Sequence, residues 1–301
     1  MTEFELIDVI VAELGDVAAG EWVRVGPGDD AAVTAVPAGA EVVSTIDALV
    51  ADVHFPAAAG AALVGYRAVM VSASDLAAMG AAPGFALVAL SLEHDDADWV
   101  RGLARGMAEA ARALDLRIVG GNIARGPLTI AISVHGYVPA GGALCRSGAR
   151  PGDGVYVTGS LGAAAAAVAR GGLDRCAVDA DLDALSRCYF RPQARMAQGR
   201  DLRGIASSAI DLSDGLLQDL GHVCRASGVG AELESARIPV ADGASLAHAL
   251  GGGDDYELCF TAPGEAPLLG VPVTRIGRIV AEPGVRLDGR AVSGGYQHFG
   301  S

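Results

Sequence analysis

The sequence contains no lysine: all 22 basic residues among its 301 are arginine. That absence excludes a Walker A lysine, a Schiff-base lysine and the strand lysine of protein kinases. If the chain handles phosphate, arginine and metal ions must supply the positive charge. Aromatic residues are scarce at 5%, so the core must be built from Ala, Val and Leu. The five cysteines (Cys145, Cys176, Cys188, Cys224, Cys259) are odd in number and form no C-x-x-C, which argues against zinc and disulfide frameworks and for small buried hydrophobes in a reducing compartment. No apolar run reaches membrane-spanning length without a charge or a Gly/Pro break, and the N-terminus, M-T-E-F-E-L-I-D, is acidic where a signal peptide is basic. These features predict a cytoplasmic protein. A formal net charge of −14 argues against nucleic-acid binding, which needs a basic face.

What is present is a globular, 51% apolar composition with recurring Asp-rich turns. Apolar spacing predicts helices over 3–14, 60–79 and 97–114, and strands over 41–46, 84–92, 117–121 and 128–138. The Gly/Pro-rich stretch 139–154 is the predicted linker between an N-terminal domain, 1–138, and a C-terminal domain, 155–301. In the latter, a strand over 155–158 turns through G-S-L-G into an Ala-rich helix, and a strand over 209–212 feeds a further amphipathic helix. The alternation predicts an α/β chain with mixed sheets. A weak G-x-G-x-x-A match at Gly26, Gly28 and Ala31 runs on into a strand instead of opening a helix, so the dinucleotide reading is rejected.

Four separated segments each place a carboxylate beside a turn or small residues: Gly28-Asp29-Asp30, Ser44 to Asp47, Ser74-Asp75, and Asp211 to Asp214. Asp75 lies inside a helix that is apolar nearly all round, where a carboxylate is costly unless paired, hydrogen-bonded or bound to metal. Hard oxygen donors of this kind suit magnesium, which reaches proteins through one or two carboxylates plus substrate phosphates. The candidates are Asp30, Thr45, Asp47, Asp75, Asp211 and Asp214, with help from Ser44 and Ser213. Taken alone, Asp47 reads as a loop residue and Asp214 as a helix N-cap. Gly252 to Leu258 forms a further acidic turn entering a strand, able to meet a cationic group on a substrate.

Together the motifs G-D-D-A-A, S-T-I-D-x-L-V-x-D-V-H-F, S-D-L-A-A-M-G-A, V-G-G-N, D-G-V-Y-V-T-G-x-L-G, D-L-S-D-G-L, G-G-D-D-Y-E-L and G-Y-Q-H-F resemble the thiamine-monophosphate kinases, in order, from residue 28 to 299. The resemblance implies the two-lobed fold shared with aminoimidazole ribonucleotide synthetase. Its N-terminal lobe binds metal and ATP and dimerises through its sheet, and its C-terminal lobe closes over the nucleotide. It implies transfer of phosphate from ATP to thiamine monophosphate, with several magnesium ions as cofactors, ATP as co-substrate, a homodimer, and neither nucleic acid nor membrane as partner. The implied magnesium ligands are Asp30, Ser44, Thr45, Asp47, Asp75, Asn122, Asp211 and Asp214. The implied ATP contacts are Gly121, Asn122, Arg146 and Ser213, and the substrate contacts are His54, Asp254 and Tyr296. No general base is implied. The family pattern has Asp after the Gly-Gly pair, where this chain has Asn122, and Glu where it has Asp254. The competing readings are a sister ATP-dependent enzyme of the same fold and a Mg/ATP-binding homologue impaired in catalysis.

Overall fold

The computed structural model describes residues 2–296, which form two compact units. Unit 1 takes 1–76, 82–141 and 172–183; unit 2 takes 77–81, 142–171 and the remainder from 184. The passage between them at 141/142 falls inside the Gly/Pro-rich stretch. The short exchanged segments 77–81 and 172–183 carry no shift in composition that marks them.

Unit 1 contains α1 (Glu3–Leu14), β1 (Val23–Val25), β2 (Val33–Thr34), β3 (Ala40–Val50), α2 (Ala61–Ala78), β4 (Ala82–Leu92), α3 (Ala97–Leu114), β5 (Arg117–Arg125) and β6 (Thr129–Pro139). Its four-stranded sheet has the order β3-β6-β4-β5, antiparallel except for the parallel β4–β5 pair. Strand register fixes which side chains share a face, because neighbours along a strand alternate sides. On the covered side, Ile130, Ile132 and Val134 are fully buried with Val69, Leu76, Val100 and Leu103 of the helices. On the open side Val42, Ile46 and Leu87 remain exposed. Helix α2 is long and apolar enough to cross a membrane, yet 78% of its length is buried inside the protein, as in the core helix of a globular domain.

Two strands run further than their sequence suggests. Strand β3 continues through Ala48, Leu49 and Val50, which pair with Ala131, Ile130 and Thr129. Ser44, Thr45 and Asp47 therefore lie within the strand and not at its carboxyl edge. Strand β5 continues through Gly120-Gly121-Asn122 to Arg125, because the parallel partners Leu87 to Leu92 keep pairing past the glycines.

Unit 2 contains β7 (Gly154–Thr158), α4 (Ala163–Arg170), α5 (Ala184–Phe190), α6 (Met196–Asp201), β8 (Ser208–Asp211), α7 (Leu216–Ser227), β9 (Gly230–Leu233), α8 (Leu246–Gly251), β10 (Leu258–Ala262), β11 (Val273–Val280), β12 (Gly284–Leu287) and β13 (Arg290–Ala291). Its described strands form one mixed sheet in the order β13-β12-β9-β11-β7-β10-β8. Val155, Val157, Ile210, Cys259, Ile276 and Ile279 of the sheet pack with Leu216, Leu220 and Val223 of α7 in a continuous core. Cys176, Cys224 and Cys259 are buried as expected, but Cys145 and Cys188 are exposed.

Candidate active site

In unit 1 the acidic residues of β3 and α2 meet. Thr45 and Asp47 share one face of β3, and the Thr45 hydroxyl donates to Asp75 Oδ2 at 2.5 Å. Burial and the negative charge of Asp75 push the Asp47 carboxyl up to about 6, only partly offset by the nearby Ser72 hydroxyl. The nearby Asp75 charge raises the cost of ionising Asp47 in this half-buried place, where the side chains of Thr45, Asp47 and Asp75 gather as candidate donors. All the donors are oxygens, which fits a hard divalent ion. Among the described residues no group of three or more His, Cys, Asp or Glu side chains is arranged to hold a metal ion.

Ser44 points to the opposite face of β3 from Thr45. Its hydroxyl meets His135 Nδ1 at 2.8 Å, and His135 stacks on Phe85 at 4.4 Å between centroids. Asp30, Gly121 and Asn122 line one cavity of about 940 Å³ in this unit, with Asp29, Ile46 and Phe85. After β3 the chain folds back, and His54 Nδ1 accepts the Val50 N–H at 3.0 Å while Asp52 takes a left-handed φ of 60°. His54 thus closes the loop that follows the strand.

In unit 2 the segment Leu212-Ser213-Asp214 is a hub. Its three successive carbonyls each accept a backbone N–H: Leu212 from Tyr256 at 2.9 Å, Ser213 from Asp254 at 2.8 Å and Asp214 from Tyr296 at 2.9 Å. The D-L-S-D-G, D-D-Y-E and G-G-Y motifs, far apart in sequence, are thereby knitted together. Gly253 makes this possible, since its φ is +70° and a Cβ there would lie 2.5 Å from the Ser213 carbonyl. Asp254 and Tyr256 also adopt left-handed backbones, braced by a bond from the Tyr256 hydroxyl to Asp254 Oδ1 at 2.9 Å. Such conformations persist only where surrounding contacts hold them.

Asp214 does not cap α7. Gly215 occupies the N-cap, and the buried Asp219 reaches back to accept the N–H groups of Asp214 and Gly215, both at 3.1 Å. Burial and the neighbouring Asp214 charge raise the Asp219 carboxyl to about 7, only partly offset by those two N–H groups and by Arg146. Asp211 ends β8 in a buried position opposite Leu258. Glu257, next in the acidic turn, is gripped through both oxygens by Arg195 and accepts the Thr158 hydroxyl at 2.5 Å. Asp255 accepts the Gly162 N–H at 2.7 Å, but its other oxygen is enclosed without a hydrogen-bond partner. Burial, with the charges of Glu257, Asp254 and Asp219, holds its carboxyl well above the usual range. It therefore serves the turn and the start of α4, whereas the sequence suggests that both adjacent carboxylates face a substrate cation. Sequence reading missed Asp219 and Arg195; for Asp219 the available signal was an acid four residues after the S-D-G turn, placed to accept from a helix start.

Models of the AIR synthase related protein N-terminal and C-terminal domains match residues 28–138 and 150–290. The thiamine-monophosphate kinase of Salmonella typhimurium is 42% identical over 301 residues, covering 92% of each chain. The chain belongs to the thiamine-monophosphate kinases. Among solved structures, the family member from Stenotrophomonas maltophilia K279a superposes with a TM-score of 0.87 at 38% identity, over 97% of this chain and 98% of that one. AaThiL complexed with AMPPCP and TMP gives a TM-score of 0.81 at 30% identity, over 99% and 97%. These kinases share the two-lobed mixed α/β architecture that the motif order implies.

Proposed function

We propose that the protein transfers the γ-phosphoryl group of ATP to thiamine monophosphate, giving thiamine diphosphate and ADP. The observation that carries this reading is the likeness, over 99% of the chain, to a structure that holds an ATP analogue and TMP together. A phosphate oxygen of the acceptor forms the new bond to the γ-phosphorus as the bond to the β-phosphate oxygen breaks, in line. A phosphate monoester has a second pKa of about 6, so the acceptor is largely ionised at neutral pH and needs no general base. Catalysis is then positioning and charge neutralisation.

Magnesium would be held by Asp30, Ser44, Thr45, Asp47, Asp75, Asn122, Asp211 and Asp214, and would neutralise charge on the transferring phosphates. The repelling Asp47–Asp75 pair supports this assignment. Gly121, Asn122, Arg146 and Ser213 contact ATP in this reading, and His54, Asp254 and Tyr296 contact thiamine monophosphate. The exposed Val42, Ile46 and Leu87 of the open sheet face suit a homodimer, and the enzyme works in the cytoplasm.

The test is formation of thiamine diphosphate from thiamine monophosphate, ATP and magnesium, followed chromatographically. Turnover is expected, and Asn122→Asp is expected to lower the magnesium concentration needed for half-maximal rate. Radiolabel from γ-labelled ATP trapped on the protein would contradict direct transfer. A wild type that is silent while Asn122→Asp turns over would instead identify an impaired homologue.

A further inference from the structure

The side-chain amide of Gln218 is used in a way the helix does not require. Its Nε2 donates to Asp214 Oδ2 at 3.0 Å and to the Tyr296 carbonyl at 2.7 Å. Both partners can only accept, so chemistry fixes which end of the amide faces them. A Gln at the third position of a helix often caps the first turn. Here Asp219 already satisfies those N–H groups, which leaves Gln218 to bridge Asp214 and the C-terminal segment.

After β13 that segment makes no regular strand, and Tyr296 is tethered at both ends of its own backbone, by its N–H to the Asp214 carbonyl and by its carbonyl to Gln218. Close approach is possible only because residue 295 is glycine. A Cβ at Gly295 would lie 2.4 Å from Gln218 Cβ and 2.7 Å from its Oε1, at a φ of +136°. The Tyr296 residue is 46% exposed. An exposed aromatic residue whose backbone is tied to an acidic turn suits a cationic heterocycle, through stacking and cation–π attraction.

Resting on the function proposed above, we infer that Gln218 is a positioning residue for the acceptor substrate. It locks the Tyr296 segment to Asp214, so that the ring meeting the organic part of the acceptor and the carboxylate serving the phosphates keep one spacing.

The test is initial-rate kinetics with thiamine monophosphate and ATP varied separately, on the wild type, Gln218→Leu, Gly295→Ala and the double variant, with melting temperatures alongside. Gln218→Leu breaks both bonds of the bridge and is expected to raise KM for thiamine monophosphate about tenfold, with KM for ATP changing less. Gly295→Ala should raise the same KM by pushing the segment off Gln218 while leaving the amide in the chain, and the double variant should be no worse than the poorer single one, because both break one contact. A KM for thiamine monophosphate within twofold of wild type in Gln218→Leu overturns the inference. So does a matched rise in both KM values with a lowered melting temperature, which marks a purely structural role. A wild type that forms no thiamine diphosphate contradicts the proposed function instead. Calorimetric titration with thiamine monophosphate then decides the inference: weaker binding by Gln218→Leu supports it and unchanged binding overturns it.

Discussion

The acidic residues of unit 1 and those of unit 2 are held by different means. In unit 1, Asp47 and Asp75 project from a strand and a helix into shared space, and their charges oppose each other with only hydroxyls in between. In unit 2 three acids are answered: Glu257 by Arg195 and Thr158, Asp219 by two backbone N–H groups, and Asp214 by Gln218. A repelling pair leaves negative charge unbalanced, whereas a compensated set fixes geometry. The comparison sets mutually repelling carboxylates in unit 1 against hydrogen-bonded ones in unit 2, whose hub is a frame that positions its turns.

If unit 2 is a positioning frame, breaking its compensation should cost stability. Arg195→Ala leaves Glu257 enclosed without its cation, and a loss of about 3–5 kcal/mol is expected in denaturant unfolding. Unchanged stability would mean that Glu257 is hydrated and the frame looser than described. Gly253→Ala forces a Cβ against the Ser213 carbonyl at a left-handed φ. It should destabilise by about 1–3 kcal/mol and raise KM for the acceptor. A smaller effect comes from Asp255, the one described acid of the unit 2 turn with an enclosed, unpartnered oxygen. Its folded pKa is raised, so the folded protein keeps a proton that the unfolded chain releases. Stability therefore falls as pH climbs from about 4 towards that pKa. Asp255→Asn should flatten this decline above pH about 4 in thermal melts. Parallel melting profiles for variant and wild type would show that Asp255 is ionised at no cost.

Much of this was legible in the residues. The apolar spacing of 97–114 marks α3 at its observed bounds, and the eight ordered motifs mark the architecture. The pairing of Thr45 and Asp47 with Asp75 was not legible in detail, since it depends on β3 running on to Val50 and showing alternate residues to α2. Glycines at 120 and 121 read as a break, but parallel pairing with β4 carries the strand through them. The hub of unit 2 is made by main-chain carbonyls, which every residue owns, so no side-chain pattern could announce it. Gln218 was hidden for a related reason: one of its two partners is the backbone carbonyl of Tyr296, far away in sequence. The rest of the closing motif, 297–299, lies outside the described residues.

The most direct measurement pairs turnover with melting temperature for wild type and Asp47→Asn, with magnesium and with a chelator. The account predicts that thiamine diphosphate formation falls by about two to three orders of magnitude, the scale of losing one preorganised charge-handling group. It also predicts that the variant melts no lower than wild type in chelator and loses the stabilisation that magnesium and ATP give the wild type. An Asp47→Asn enzyme that turns over at the wild-type rate, or one that unfolds in chelator, would contradict it.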